Sequence, residues 1–414
     1  MRARSVRMFS AEGPTDATVD KPDEFGWWDW TVFLLHTAAE VEHALLVQYL
    51  YAAYSLPTSS PMQRTITGIA KEEMGHLLTV QNLLRFIGGP LNFEREDFPI
   101  RTFLYPFPLR LEPLSKTSLA KYVTAEMPAE AASSEEIQEI VALATAAAGG
   151  MGVNRVGVVY DALAAVFADG AKLPDTDFRP DTAGGAQGNP QEWFAFGGLI
   201  VRAVRTRGEA VAALRAVGEQ GEGSGTPPAG APKSHFDKFL EIYRTFPETS
   251  PALAIPVDPN TRRVLTTDAT LERGRITHPT TRLWAHLFNV RYRMSLLDLS
   301  HALHVTGPLR EDLRDWTFAE MRALRGLARK LVTLPLKETP AEGDAPLAGP
   351  PFELPFTLAL PDNERDRWRT HRALLDTSKD LIARIAATGD TSPLLTDLAD
   401  ADAAALPVVA AQLA

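Results

Sequence analysis

Two predicted helices near the N-terminus, residues 27–56 and 61–87, carry side chains that commonly bind metal ions. The first contains Glu42, and the second contains Glu73 and His76 in a Glu-x-x-His spacing. In helical projection both glutamates lie on an apolar face, with mainly Leu, Ile, Val and Ala three, four or seven positions away. A lone ionised glutamate there is costly unless it is paired or bound to a metal. One Glu and one Glu-x-x-His form half of the ligand set of a di-metal carboxylate bundle, so the spacing predicts a metal site.

An alternative is that each glutamate hydrogen-bonds a core side chain and that His76 is an ordinary core histidine. The second helix-borne glutamate favours the metal, as does Tyr49, which lies seven residues after the first glutamate. Tyr49 is therefore the expected catalytic side chain. Glu40, Glu72 and His43 fall on more polar helix faces, and we expect them to be solvated.

Three segments of the sequence resemble the first helix pair of the bacterioferritin and ferritin-like superfamily. They are Glu42-His-Ala-Leu-Leu-Val-Gln-Tyr49, Glu73-Met-Gly-His76 and Leu83–Asn92. The wider pattern is similar to the ferritin-like domain of iminophenyl-pyruvate dimer synthases, which act in bis-aromatic pigment and indolocarbazole pathways. The segments that carry this wider resemblance are Gln48–Ala52, Ala125–Pro128, Gln220–Ser224, Ser234–Phe236 and Ala348–Phe352. The resemblance spans most of residues 25–355 and implies a metal-binding helical bundle.

Composition limits the chemistry and the partners. The 414 residues contain no Cys, which excludes thiolate chemistry, iron–sulfur clusters and disulfides. Any metal must then be held by carboxylate and imidazole, which suits iron, one or two ions per chain, or manganese. The net charge of −10 argues against a nucleic-acid partner. No apolar run is long enough for a membrane span, so no membrane partner is expected.

Helix signals recur along the chain, and no sustained period-two pattern indicates strands. We predict an all-α protein: a ferritin-like four-helix bundle with additional C-terminal helices and long covering loops. The predicted domains are a disordered N-terminal arm at residues 1–24, a metal-binding bundle at 25–245 and a helical C-terminal region packed on it at 246–414. The arm has no apolar signal-peptide region, so the cytoplasm is the expected compartment. A homo-oligomer is compatible with this organisation.

Beyond the first pair, the helices are predicted at residues 115–127, 154–169, 207–220, 234–243, 281–305, 316–334 and, as the last one, 364–387.

Three later residues are candidates for the rest of the ligand set: Glu126, Glu222 and His235. Glu126 has apolar neighbours but could be a hydrogen-bonded helix-end carboxylate. Glu222 lies where its helix meets a Gly-rich stretch and could be solvated, although the family-like context favours it. Pro232 precedes His235 by three residues, so a second Glu-x-x-His is absent, and Val158 stands where the resemblance leads us to look for Glu. One firmly held metal, or an asymmetric and labile pair, fits these ligands better than a symmetric pair.

A competing metal site is the i, i+3 pair His301 and His304, although helical histidines among leucines are more often structural. The Gly- and Pro-rich segment at residues 221–232 is predicted to be a mobile cover beside the site.

Three function classes remain open. The first is an iron oxidoreductase that uses O2 or peroxide on a small-molecule substrate, which the resemblance suggests is an aromatic amino-acid-derived imine. The second is iron storage or detoxification, and the third is a helical scaffold with a structural metal. The extra length beyond one bundle argues against storage, and buried Glu42 and Glu73 argue against a scaffold.

Overall fold

The structure is a computed structural model that describes residues 19–95, 104–150, 152–179, 187–195, 199–223, 233–262, 269–354 and 359–414. These residues form thirteen α-helices joined by loops and short 3₁₀ turns, with two isolated β-bridges and no strand among them. The predicted all-α class is therefore confirmed.

The chain divides into two compact units. The first comprises Met1–Arg110, Leu114–Ala183 and Gln187–Ala252, and the second comprises Leu111–Pro113, Gly184–Ala186 and Leu253–Ala414. The domain boundary expected at residues 245–246 lies close to the change of unit after Ala252. The first unit contains α1 Trp27–Tyr54, α2 Pro61–Phe86, α3 Lys116–Glu126, α4 Glu135–Ala147, α5 Gly157–Ala168, α6 Pro190–Phe194, α7 Arg207–Glu222 and α8 His235–Thr245. The second contains α9 Ala269–Arg273, α10 Pro279–Ala302, α11 Pro308–Leu331, α12 Glu364–Ala386 and α13 Pro393–Leu413.

The predicted helices agree with these bounds within a few residues at most ends, apart from α11, which begins eight residues earlier at Pro308. Four helices were missed, among them the five-residue helices α6 and α9. The helix at 364–387 was expected to be the last one, which is wrong, because α13 follows it. The α13 sequence is rich in Ala and Asp and contains Pro407, which masks the apolar stripe of Leu395, Leu398 and Val409 that it buries. Helix α4 was missed within an Ala-rich stretch.

The first unit is a four-helix bundle with a second layer of helices. Helices α1 and α2 pack along each other, α5 packs against α7 and α1, and α7 also contacts α2. In the second layer, α3 packs against α4 and α8, and α8 reaches α2 and α7. The apolar core around this layer includes Tyr49, Tyr122 and Phe239, whose rings contact one another at centroid distances of 4.8–5.3 Å.

Helix caps fix the ends that carry candidate ligands. Thr206 and Glu209 form a capping box that starts α7, and Gly223, at φ 69°, ends it immediately after Glu222. Ser234 and Asp237 form a second capping box that starts α8 at its first residue, His235. The caps thus fix the positions of Glu222 at the end of α7 and of His235 at the start of α8.

Within the described ranges, no helix combines the length and the apolar character needed to cross a membrane.

Helix α2 has two interior glycines with different surroundings, which makes a matched test of its packing. A Cβ at Gly75 would lie 2.3 Å from the backbone oxygen of Ile200, whereas a Cβ at Gly68 would meet nothing within 4 Å. We expect Gly75→Ala to lower the free energy of unfolding by about 1–3 kcal/mol, because the neighbouring backbone must move. Gly68→Ala should raise it by about 0.5–1 kcal/mol through helix propensity. Urea denaturation followed by circular dichroism measures both, and equal effects would contradict this packing.

Candidate metal centre

The first helix pair brings three candidate ligands together. Glu42 and Glu73 are 1% and 2% exposed, as expected for the apolar face. The Nδ1 atom of His76 lies 2.8 Å from Oε2 of Glu73 and 3.3 Å from Oε2 of Glu42. This arrangement follows from the helical period, because Glu73 and His76 are one turn apart on α2 and face the middle of α1.

Two further candidates enter from the second layer. His235, at the start of α8, places Nδ1 3.1 Å from Oε1 of Glu73 and 3.8 Å from Oε2 of Glu126. Glu126, the last residue of α3, is buried and accepts a hydrogen bond of 2.6 Å from the hydroxyl of Tyr49. Four helices thus direct three carboxylates and two imidazoles into one buried cluster, which we call the carboxylate–histidine cluster: Glu42, Glu73, His76, Glu126 and His235.

The donor set fits a metal ion. Ligand atoms of Glu73, His76 and His235 all lie within 4.8 Å of one another. Three inward atoms, Oε2 of Glu42, Oε1 of Glu73 and Nδ1 of His235, are buried and form no hydrogen bond within the part of the chain that the structure describes. Buried polar atoms are normally satisfied, so three such atoms within one buried cluster are an arrangement expected around a cation.

Both histidines are oriented for ligation through Nδ1. The Nε2 atom of His76 donates to Oε1 of Gln220 at 3.2 Å, and that of His235 donates to Oε2 of Glu72 at 2.8 Å. A metal-binding histidine commonly donates its second ring N–H to such an acceptor, which fixes the tautomer and the ring plane. Glu72 was expected to be solvated, and this was wrong: it is half-buried and bonded to His235 and Lys238.

Electrostatics distinguishes the three carboxylates. Burial, together with repulsion from Glu73, raises the pKa of Glu42 to about 8. The same causes raise the pKa of Glu126. Burial acts on Glu73 too, but the nearby charge of His235 and the hydrogen bond from His76 outweigh it and hold its pKa well below the usual range. Glu73 is therefore the central anion of the cluster.

The histidines respond in the opposite direction. Burial alone would lower the pKa of His76, but the nearby charge of Glu42 and the hydrogen bond to Glu73 raise it to about 10. The pKa of His235 is raised well above its usual range because the charge of Glu73 outweighs the burial penalty. Without a bound cation, protons on these imidazoles balance the carboxylates.

Two buried phenols complete the cluster. Tyr49 donates to Glu126, and Tyr160 of α5 donates to Oε1 of Glu42. Burial, followed by the charge of the bonded carboxylate, raises the pKa of each phenol well above its usual range, so both remain protonated donors. Tyr160 is not among the site residues predicted from the sequence, because the resemblance points to position 158 of this helix, where Val158 stands in place of Glu. The usable signal is that a buried tyrosine hydroxyl needs a partner.

Glu222 lies at the edge of the cluster and has other partners. Its Oε1 is 3.0 Å from Nη1 of Arg155 and accepts the backbone N–H of Gly157 at 3.2 Å. Burial raises its pKa to about 7, against the lowering effect of Arg155. It lines the same small cavity, of about 10 Å³, as Glu42 and Glu73. Its role as a ligand stays a prediction.

Glycines line part of this cavity, and their lack of a side chain leaves its volume open. Gly157, Gly218 and Gly221 line it, and a Cβ at Gly221 would lie 3.0 Å from Oε2 of Glu126. The expected mobile cover at residues 221–232 falls largely outside the described residues, which resume at Lys233 after Gly223.

Other expectations are corrected. His43 is buried rather than solvated, with Nδ1 2.9 Å from the carbonyl oxygen of Phe93, because the 91–95 segment covers that face of α1. His304 contacts the carbonyl oxygen of its own helix neighbour Ser300, whereas His301 hydrogen-bonds His371 at 2.9 Å. Among the described residues no three-ligand group includes either His301 or His304.

The chain belongs to the ferritin-like family, whose family model matches residues 35–244, about half of the chain. All members of the carboxylate–histidine cluster fall within that range. A crystal structure of a ferritin-like protein from Caulobacter vibrioides has 18% identity to this chain and a TM-score of 0.46, covering 72% of this chain and 95% of that one.

Two relatives agree with the narrower resemblance, which is thereby confirmed. A dichlorochromopyrrolate synthase of Lentzea aerocolonigenes is 28% identical over 125 residues, covering 23% of this chain and 12% of that protein. A 2-imino-3-(indol-3-yl)propanoate dimerase of Chromobacterium violaceum is 29% identical over 131 residues, covering 23% of this chain and 13% of that protein. The matched segments thus span only about an eighth of each relative.

The cluster predicts which substitutions remove metal. We expect Glu73→Gln to lower the affinity for ferrous iron at least a hundredfold, because Glu73 contacts both histidines and carries the central charge. Anaerobic titration and metal analysis measure the loss, and the exposed Glu139→Gln serves as the control. Full metal occupancy in Glu73→Gln would contradict the assignment.

The position of Glu72 gives a second test. Glu72→Gln should weaken metal binding about 10–100-fold, because it removes the charged acceptor that orients His235. Lys238→Met is the matched control, since Lys238 binds Glu72 at 2.6 Å but has no acceptor for the N–H of the imidazole. Equal losses in both variants would mean that Glu72 acts only through the packing of α8.

Proposed function

We propose that this protein is a non-haem iron oxidoreductase, with manganese as the alternative metal, that uses O2 or peroxide on a small organic substrate. The observation that carries the proposal is the buried carboxylate–histidine cluster with its three unsatisfied ligand atoms. An apolar bundle does not need these groups to fold, and it carries their desolvation cost.

Glu42, Glu73, His76 and His235 would hold the metal, with Glu126 as a further carboxylate. Iron bound by carboxylate and imidazole supplies one-electron redox chemistry and Lewis acidity, without thiolates. Charge balance favours one ion as the firmly held one: three carboxylates with two neutral imidazoles balance a trivalent ion, or leave one negative charge beside a divalent ion. Two divalent ions would leave a positive charge unless Glu222 gave up Arg155 and joined the site.

The phenols hold protons at defined atoms. Tyr49 keeps its proton on the hydroxyl that faces Oε1 of Glu126, and Tyr160 keeps its proton on the hydroxyl that faces Oε1 of Glu42. Each bond holds one carboxylate oxygen and leaves the other directed into the cluster. Tyr49 is the proposed catalytic residue because it can also pass this proton to a substrate atom through Glu126.

The bundle keeps water out of the site. Leu45, Val156 and Val217 line the cavity on its apolar side, and the glycines opposite leave a narrow space. Exclusion of water strengthens the interactions among the charged groups and protects reactive species from hydrolysis.

The substrate class is proposed from the relatives. One relative is named for dimerising an indolyl imino acid and the other for making dichlorochromopyrrolate. We propose an aromatic α-imino or α-keto acid as the substrate here. Joining two such molecules with loss of two hydrogens requires a two-electron oxidant, which O2 supplies on reduction to hydrogen peroxide and which peroxide supplies on reduction to water.

One experiment separates the enzyme from iron storage and from a scaffold. We expect the ferrous protein to consume O2, and to do so at least about tenfold faster with an aromatic α-imino acid present, while iron stays at one or two ions per chain. Storage would give many irons per chain whatever organic molecule is added. A scaffold would give neither result.

Tyr49→Phe tests the role of the phenol in the same assay. The variant should retain iron and lose about 10–100-fold in substrate-stimulated O2 uptake, because only the hydroxyl is removed. Glu73→Gln is the metal-deficient reference. Unchanged uptake in Tyr49→Phe would remove Tyr49 from the mechanism without removing the metal.

A further inference from the structure

The second unit contains its own buried polar cluster. Helix α10 packs against α11 and α12, and α13 packs against the same two helices. Between them Asp298, Glu320, Asp402 and His371 line a cavity of about 40 Å³. A space of roughly 10–15 Å³ on this measure holds one water, so the cavity has room for a small ligand group.

Arg291 is the cation that pairs with the carboxyl groups beside this cavity. Arg291, which is fully buried, binds Glu320 at 2.8 Å and Asp402 at 2.7 Å. Asp298 adds a third carboxyl, 3.1 Å from Nδ1 of His371. Burial lowers the pKa of His371 to about 4, and burial followed by the charge of His371 does the same for His301. Burial raises the pKa of Asp298 well above its usual range, so the two imidazoles and Asp298 are uncharged at neutral pH. Three carboxyl groups thus face one fixed cation.

A second observation points to a ligand. The Oε2 atom of Glu320 is buried and forms no hydrogen bond among the described residues, although the residue is only 6% exposed and lines the cavity. Burial raises the pKa of Glu320 to about 7, with Arg291 opposing the shift. A structural Arg–carboxylate network normally satisfies its buried polar atoms, whereas among the described residues this one leaves Oε2 of Glu320 and Nε of Arg291 without a hydrogen bond, and Glu320 lines the cavity.

The shape of the cavity selects the kind of cation. No three of its acidic and imidazole ligand atoms lie within 4.8 Å of one another in the described chain, whereas a metal holds oxygens at about 2.0–2.6 Å and therefore close together. An ammonium nitrogen accepts a wider spacing, because its N–H···O distances are about 2.9 Å. The remaining walls are Trp316, Met294, Leu375 and alanines. An indole and aliphatic side chains suit an organic cation.

We infer that this cavity binds a small primary alkylammonium ion, with the ammonium group on Glu320 and Asp298 and the alkyl part against Trp316 and Leu375. Asp402 remains held by Arg291 and by the hydroxyl of Ser378, which donates to it at 2.8 Å. The site lies entirely within the second unit and does not depend on the proposed iron chemistry.

The test is calorimetric titration of the full-length protein with ethylammonium chloride. We expect saturable binding of one ion per chain. Tetramethylammonium, which has no N–H donor, should bind at least tenfold more weakly. Glu320→Gln should also weaken ethylammonium binding at least tenfold, because it removes the charge and keeps the volume. Glu311→Gln is the matched control, since Glu311 is exposed on the same helix.

Ala319→Val keeps every charge and narrows the cavity that Ala319 lines, so it should weaken binding even if Glu320→Gln destabilises the unit. Three outcomes would overturn the inference. These are no saturable ethylammonium binding, equal binding by both variants and the native protein, and binding of Mg²⁺ or Ca²⁺ in place of ethylammonium.

Discussion

The repulsion among three buried carboxylates is the constraint on which the first unit depends. Glu42, Glu73 and Glu126 face one another between helices, with no room for bulk water to screen them. Four neighbouring side chains act against that repulsion: two imidazoles carry protons, and two phenols donate hydrogen bonds to carboxylate oxygens. An apolar bundle can bury such a cluster only because each charge has a nearby opposite partner or can be neutralised by a proton or a cation.

Helix ends make the cluster receptive to a cation. Glu126 and Glu222 are the last residues of α3 and α7, where the helix dipole disfavours a carboxylate, and His235 is the first residue of α8, where it disfavours an imidazolium. All three groups are thus charged at the unfavourable ends of their helices. A cation placed among them interacts favourably with the carbonyl ends of α3 and α7 and lets His235 become neutral. The caps at Gly223 and Ser234 fix the ends of α7 and α8 that carry Glu222 and His235.

The long helices and the local ligand spacing were predictable from the sequence, whereas the contacts between distant segments were not. Burial of Glu42 and Glu73 follows from the helical period alone, and it is confirmed. The partners that orient the histidines are separated from them by 144 residues for Gln220 and 163 for Glu72. No periodicity encodes such pairs. Tyr160 was hidden for the same reason, because an inward phenol and an inward core ring look alike until the opposite helix is known.

The two units bury acidic groups with different cations, and this difference sets what each can bind. Imidazoles balance the carboxylates of the first unit, and an imidazole that loses its proton becomes a metal ligand. A guanidinium balances those of the second, and it neither releases its proton nor offers a lone pair. Exchange of protons for a metal is therefore available around Glu73 but not around Arg291. Near Arg291 the unsatisfied carboxyl oxygen of Glu320 can be matched only by a hydrogen-bond donor, which is why an ammonium group suits the second cavity and a metal suits the first.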